Sequence, residues 1–126
     1  MGTKTERAVR IEVSQDVFAL AQVFRIARGA RTEAQVVTVS VSDGAHRGWG
    51  ECVPYARYGE TLETVTAQIE AVPRDVTRAR LQDLLPPGAA RNALDCALWD
   101  LEAKQAERRV WEMAGLPAPA PEITAY

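Results

Sequence analysis

Val37, Val39 and Val41 alternate with Thr38, Ser40 and Ser42, and the run breaks at Asp43-Gly44. Alternation puts the three valines on one face of a half-buried strand. Asp-Gly is a favoured two-residue hairpin signal, because both central positions of such a turn need positive φ. A second strand then runs over about 46–53. Upstream, Val9, Ile11 and Val13 alternate with Arg10 and Glu12, and a further apolar stretch over 17–27 ends in Arg28-Gly29-Ala30-Arg31. The first half therefore reads as an antiparallel meander of three to four strands, with 28–31 and 54–60 as connections at strand ends.

The second half reads as helices. Thr61 caps a helix over 62–71, with Glu63 in the first turn where the helix dipole favours a carboxylate. Pro73 stops it. Thr77 caps a second helix that ends at Leu85, before Pro86-Pro87-Gly88. The longest helix covers 89–107. A short one over 110–114 stops at Gly115, with Pro117 beyond. Prolines at 117, 119 and 121 mark an extended linker, followed by the strand-like Ile123-Thr124-Ala125-Tyr126. The fold class is α+β: a small meander followed by a small helical bundle. At about 100° per residue, Ala90, Leu94, Ala97, Leu98 and Leu101 form one stripe of the long helix. Asn92, Cys96, Trp99 and Ala103 form a roughly opposite one. Two opposed stripes predict cover on both sides, by the rest of this chain or by something outside it.

Chemistry is sparse along this chain. Its net charge of −2 offers no electrostatic basis for binding nucleic acid or an anionic membrane. No apolar run approaches the roughly 20 residues that span a bilayer. Residues 1–10 are polar, without a signal-peptide core, which predicts a cytoplasmic protein. Cys52 and Cys96 lack metal-ligand spacing and read as two reduced, buried thiols, with a disulfide the alternative. The one histidine, His46, reads as a solvated turn residue. Neither Lys4 nor Lys104 is placed as a buried catalytic amine. No nucleophile elbow, HExxH, P-loop or GxGxxG pattern is present. The chain reads as one that binds or covers, with no catalytic or metal-ligating residue. Two connections stand out. Arg28 and Arg31 flank Gly29 and can clamp a carboxylate bidentately, or remain hydrated turn arginines. Residues 54–60 combine Tyr55, Arg57, Tyr58 and Glu60, as a recognition loop or as an Ω-like loop held by its own tyrosines.

Three blocks carry a resemblance: FRIARGARTEA (24–34), GWGECVPYARYGET (48–61) and LLPPGAARNALDCALWDL (84–101). They resemble the N-terminal capping domain of the enolase superfamily, and within its muconate-lactonizing subgroup the L-Ala-D/L-Glu dipeptide epimerases. The resemblance implies a capping domain over 1–116. It further implies that 117–126 are a linker and the start of a (β/α)₇β barrel whose remainder is absent, so that the chain is a fragment inactive by itself. In the family the barrel supplies two lysines and three carboxylates that bind Mg²⁺. A lysine removes the proton α to a carboxylate, the metal stabilises the enediolate, and the other lysine reprotonates the opposite face, interconverting L-Ala-L-Glu and L-Ala-D-Glu. Two capping-domain loops cover the barrel mouth, which assigns substrate contacts to Arg31, Ile26, Val53, Tyr55 and Tyr58. Arg31 then pairs with the glutamyl side-chain carboxylate. The implied partners are the protein's own barrel and an acidic dipeptide, and the surface a barrel normally covers predicts self-association. The rival assignments are the lid of a muconate cycloisomerase, an N-acylamino acid racemase or an o-succinylbenzoate synthase, and a free-standing binding module. Arg109 departs from the pattern, standing where a small helix-capping residue is expected.

Overall fold

The valine alternation builds the sheet it predicts. In the computed structural model, which describes residues 8–27 and 29–117, three strands precede four α-helices among the described residues. Strands β1 (Arg10–Ile26), β2 (Gly29–Ser42) and β3 (Arg47–Cys52) form an antiparallel sheet in the order β1-β2-β3. The two apolar stretches read separately upstream are one 17-residue strand. Its ladder with β2 runs from Arg10↔Ser42 to Ile26↔Gly29, with an irregularity between Ala19 and Phe24 that keeps the distal half paired. Pairing that resumes beyond the irregularity therefore joins what alternation alone divides.

The hairpin signal at Asp43-Gly44 marks a turn, but a longer one than two residues. Ser42 pairs with Arg47, so residues 43–46 make the connection, and of these only Gly44 has positive φ, at 98°. The Asp43 carboxylate accepts the N–H groups of Ala45 and His46 at 2.8 and 2.7 Å, and this side-chain capping substitutes for the tight backbone turn. His46 is exposed, as expected, 3.7 Å from the Asp43 carboxylate.

Helices α1 (Leu62–Glu70) and α2 (Arg78–Leu84) begin at Thr61 and Thr77, whose hydroxyls accept the N–H of Thr64 and Arg80. Helix α3 runs Ala89–Ala106 and closes through Glu107 in the left-handed region. Helix α4 (Val110–Met113) starts at Arg109, whose N–H donates to the Glu112 carboxylate at 2.8 Å, compensating for the missing small cap. The core lies between one face of the sheet and α1–α3. Val37, Val39 and Val41 meet Val65, Ile69, Leu81, Leu94, Ala97 and Leu101 there.

The tightest packing joins α3 to β3. A Cβ at Gly48 would collide with the Ala97 carbonyl and the Leu101 backbone, and one at Gly50 with the Ala93 carbonyl. Backbone thus meets backbone. The outer edge of β3 is closed by the same helix. The Trp49 N–H donates to Asp100 Oδ2 at 2.9 Å, and Lys104 Nζ donates to the Arg47 carbonyl at 2.7 Å and to Asp100 Oδ2 at 3.0 Å. An otherwise unpaired strand edge is satisfied this way.

Two expectations for α3 need correction. The stripe of Ala90, Leu94, Ala97, Leu98 and Leu101 is buried, but Asn92 and Cys96 on the opposite stripe are exposed. Cover there is confined to Ala103, which is buried, and to Trp99, over which the Arg78 guanidinium stacks at 3.7 Å. Both cysteines are free thiols, but of the two expected to be buried only Cys52 is, and Cys96 is exposed. A cysteine on an amphipathic helix has its exposure set by its angular position, which apolar character alone does not report. The expected linker and barrel-strand start over 117–126 lie outside the described residues, apart from Pro117. No helix among the described residues is long and apolar enough to cross a membrane.

Two consequences are measurable. Gly50→Ala forces α3 away from β3 and should destabilise by at least the roughly 1–3 kcal/mol of an overpacked core. An unchanged urea midpoint would contradict the close contact. Asp43 also accepts from Gln105 Nε2 at 2.7 Å. This bond foremost, with those from His46 and Ala45, lowers its carboxyl from 3.8 to about 2. A depressed folded value stabilises the ionised form, so the contribution is complete above about pH 4 and lost as pH falls toward about 2. The stability advantage of the parent over Asp43→Asn should shrink across that window; urea midpoints showing a constant gap from neutral pH down to pH 2 would refute it.

Candidate functional site

The helices cover only the proximal half of the sheet. Their last polar tie to β1 is Gln15, whose Nε2 donates to Thr66 Oγ1 at 3.0 Å. Beyond it β1 and β2 continue as a bare hairpin, with Val17 and Phe18 each 53% exposed and Val23, Phe24 and Ile26 also exposed. At the tip Ile26 pairs with Gly29 and Phe24 with Arg31. Arg31 therefore sits inside β2, not in the connecting turn where the sequence reading placed it. Paired strand geometry holds its backbone.

Facing the hairpin tip is the segment after β3. Residues 56–58 form one 3₁₀ turn, closed by Gly59 in the left-handed region at φ 77°. The Tyr58 N–H donates to the Tyr55 carbonyl and the Gly59 N–H to the Ala56 carbonyl, both at 2.9 Å. Tyr55 and Tyr58 meet edge to face, centroids 5.2 Å apart. The expected tyrosine-held loop is present, and its firmest fastening is Glu60. Glu60 Oε1 accepts the Tyr55 N–H and Oε2 accepts the Ala89 N–H, each at 2.8 Å. Ala89 is the first residue of α3, so the carboxylate also meets the positive end of the helix dipole. Glu60 thus faces inward as an anchor.

Between the two segments lies an open cavity of about 600 Å³. Phe24, Ile26, Gly29, Ala30 and Arg31 form one wall, and Tyr55, Ala56 and Arg57 the other. A second concavity of about 500 Å³ shares Phe24, Ile26, Arg31 and Tyr55 and reaches Val53. The structure thus brings together Arg31, Ile26, Val53 and Tyr55. Tyr58 lines neither cavity; it is 73% exposed and joins the group only through Tyr55. Phe24 and Arg57 line the cavity as well, beyond the residues expected from the sequence. The Phe24↔Arg31 pairing follows from strand register, and Arg57 lies within the loop already singled out.

The cavity is suited to binding an anion. Its lining includes Arg31 and Arg57 and no acidic residue. Nearby Cys52 is no nucleophile, because burial, with smaller effects of Glu60 and Glu51, pushes its thiol up to about 11. Among the described residues no three His, Cys, Asp or Glu side chains converge as a metal site. A larger concavity of about 680 Å³ lies between α2 and α3. Its principal charges are already matched, since Arg78 grips Glu102 through two bonds of 2.8 and 3.0 Å.

Known proteins share this sequence and fold. Residues 8–115 match the family of the mandelate racemase / muconate lactonizing enzyme N-terminal domain. An L-Ala-D/L-Glu epimerase of Escherichia coli (strain K12) is 45% identical over 119 residues, which are 91% of this chain and 37% of that enzyme. An N-acetyl-D-glutamate racemase of a Pseudoalteromonas species is 50% identical over 84 residues, 62% of this chain and 27% of that protein. The chain thus spans 37% and 27% of the lengths of these two curated relatives. Among solved structures, an enolase family member from Agrobacterium tumefaciens with homology to dipeptide epimerases, holding sodium and L-Ala-L-Glu with an ordered loop, superposes with a TM-score of 0.82. It is 50% identical, over 87% of this chain and 35% of that one. A dipeptide epimerase from Methylococcus capsulatus, complexed with Mg and L-Arg-D-Lys, gives a TM-score of 0.71 at 30% identity, over 86% of this chain and 35% of that one.

The anchor is testable without a ligand. Glu60→Ala removes the acceptor of two N–H groups and should cost about 1–3 kcal/mol. It should also speed amide hydrogen exchange at Tyr55 and Ala89, whereas unchanged exchange at both would show that Glu60 fastens nothing.

Proposed function

The chain belongs to the mandelate racemase / muconate lactonizing enzyme N-terminal domain family, and we propose that it is the substrate-covering domain of a dipeptide epimerase selective for acidic dipeptides, interconverting L-Ala-L-Glu and L-Ala-D-Glu. The observation that carries this reading is Arg31, a guanidinium held in a strand and set among Phe24, Ile26 and Tyr55 at the cavity wall. An acidic side chain entering such a cavity exchanges water for one bidentate cation and apolar walls. The 45% identity to the Escherichia coli L-Ala-D/L-Glu epimerase supports the same substrate class.

The work is divided between this domain and a barrel. Epimerisation removes the proton α to a carboxylate and returns one to the opposite face, which needs a base and an acid on the two sides of the α-carbon. We assign those groups, and Mg²⁺ as stabiliser of the enediolate, to the barrel. Arg31 holds the distal carboxylate, and Phe24, Ile26 and Tyr55 exclude water around the side chain. Binding at a part of the substrate that does not react fixes the α-carbon between the proton-transfer groups. The exposed apolar residues Val17, Phe18 and Val23 supply surface for docking on that barrel.

A second reading, racemisation of an N-acylated glutamate, is favoured by the 50% identity to the N-acetyl-D-glutamate racemase. Both readings place a glutamyl side chain in the cavity. Assaying the full-length protein with L-Ala-L-Glu and with N-acetyl-D-glutamate separates them.

In that protein Arg31→Ala leaves the distal carboxylate without its partner. Losing a desolvated charge pair costs on the order of 2–5 kcal/mol, or roughly 30-fold to several-thousand-fold in kcat/KM. L-Ala-L-Glu should lose this much, and L-Ala-L-Leu little. Equal losses on both substrates would reduce Arg31 to a support for the hairpin's shape.

A further inference from the structure

We infer that Arg57 is a second specificity-determining residue, engaging the substrate's distal carboxylate from the wall opposite Arg31; the inference rests on the acidic-substrate reading above. Arg31 reaches the cavity from β2 and Arg57 from the 3₁₀ turn, so two separate elements deliver one cation each to the same space. No carboxylate lines that space. Among the other described arginines, Arg10 and Arg47 meet Glu12, Arg78 meets Glu102 and Arg80 meets Asp75, whereas Arg91 and Arg108 donate only to the Leu85 and Glu112 carbonyls. Among the described residues, neither Arg31 nor Arg57 takes part in an ion pair. Both arginines are exposed on one open cavity; two like charges lining it repel, and an anion between them turns that repulsion into two attractions. A carboxylate is suited to the place because its two oxygens offer about four lone-pair directions and can accept from two guanidiniums at once.

The turn that carries Arg57 is fixed, which separates it from an ordinary surface arginine. Backbone bonds close the turn on either side, Tyr58 packs on Tyr55, and Glu60 ties Tyr55 to the start of α3. The guanidinium is therefore delivered from a preset backbone, and less freedom is lost when it binds. Charge, rather than size, is then what the paired arginines read, so a glutaminyl side chain of nearly the same shape should be a poor substitute.

The test compares kcat/KM for L-Ala-L-Glu and L-Ala-L-Gln in the full-length protein, for the parent, Arg57→Ala and Arg57→Lys. The parent should prefer the glutamyl substrate. Arg57→Ala should erode that preference roughly ten- to a hundredfold, the range of a lost hydrogen bond to a charged group, chiefly through KM. Turnover of L-Ala-L-Gln should barely change. Arg57→Lys should restore part of the preference, and added salt should narrow the gap between parent and Arg57→Ala. A preference that survives intact in Arg57→Ala overturns the inference and leaves the acidic-substrate reading standing. Equal losses on both substrates overturn it as well, making Arg57 a support for the turn. A parent indifferent between the two substrates overturns the reading and the inference together.

Discussion

The bare backbone contact between β3 and α3 is the constraint on which the other parts depend. Gly48 and Gly50 present no side chain to the helix, and Ala93 and Ala97 present the least a chiral residue can. Such an approach brings Asp100 and Lys104 within hydrogen-bonding reach of the strand's free edge. The same approach sets the position of the α3 N-terminus relative to the end of β3. That distance matters because Glu60 must span it, reaching Ala89 with one oxygen while holding Tyr55 with the other. The loop geometry at the cavity is therefore inherited from a glycine contact several residues away.

The sheet has two halves with different physics. In the proximal half one face is sealed by helices, and the valines of β2 are fully buried. The distal half has no helix over it, and backbone pairing alone carries it to the tip. An exposed apolar hairpin is costly in water, and a partner surface offsets the cost. The cavity lies where the two regimes meet: its loop wall is anchored to the core, and its hairpin wall stands on the ladder.

Most of the architecture is legible in local chemistry. Thr61 and Thr77 mark helix starts because a hydroxyl there can satisfy a free N–H, and the structure uses both. The buried stripe of α3 follows from helical period. What local reading misses depends on partners distant in sequence. The length of β1 is set by pairing with β2, and the turn at 43–46 by a side chain capping the backbone. Arg31 belongs to a strand because Phe24 lies opposite it. Trp99 is half-covered because Arg78 from another helix lies over its ring. Tyr58 is adjacent in sequence to lining residues, yet the turn leaves it exposed and outside the cavity lining. Glu60 reads as one more polar group in a recognition loop until the fold brings Ala89 beside it.

Net charge conceals the cavity's character. The chain as a whole is at −2, which argues against polyanions as partners, yet one cavity wall system is wholly cationic among its charged groups. The contrast arises from placement. The acidic residues closest in sequence to the two loops are engaged or directed elsewhere: Glu60 faces the N–H groups of Tyr55 and Ala89, and Glu33 lies along the adjoining concavity, outside the lining shared by Arg31 and Arg57. A cavity with cations and no acidic residue in its lining attracts a small anion over short range, where screening by salt is weakest, while the net negative charge of the chain discourages large polyanions. Glu60 thus has two effects from one position. Turned toward the α3 N-terminus, it fixes the loop that carries Arg57; turned the other way, it would be an internal carboxylate that neutralises the cavity's cations and competes with any anion for them.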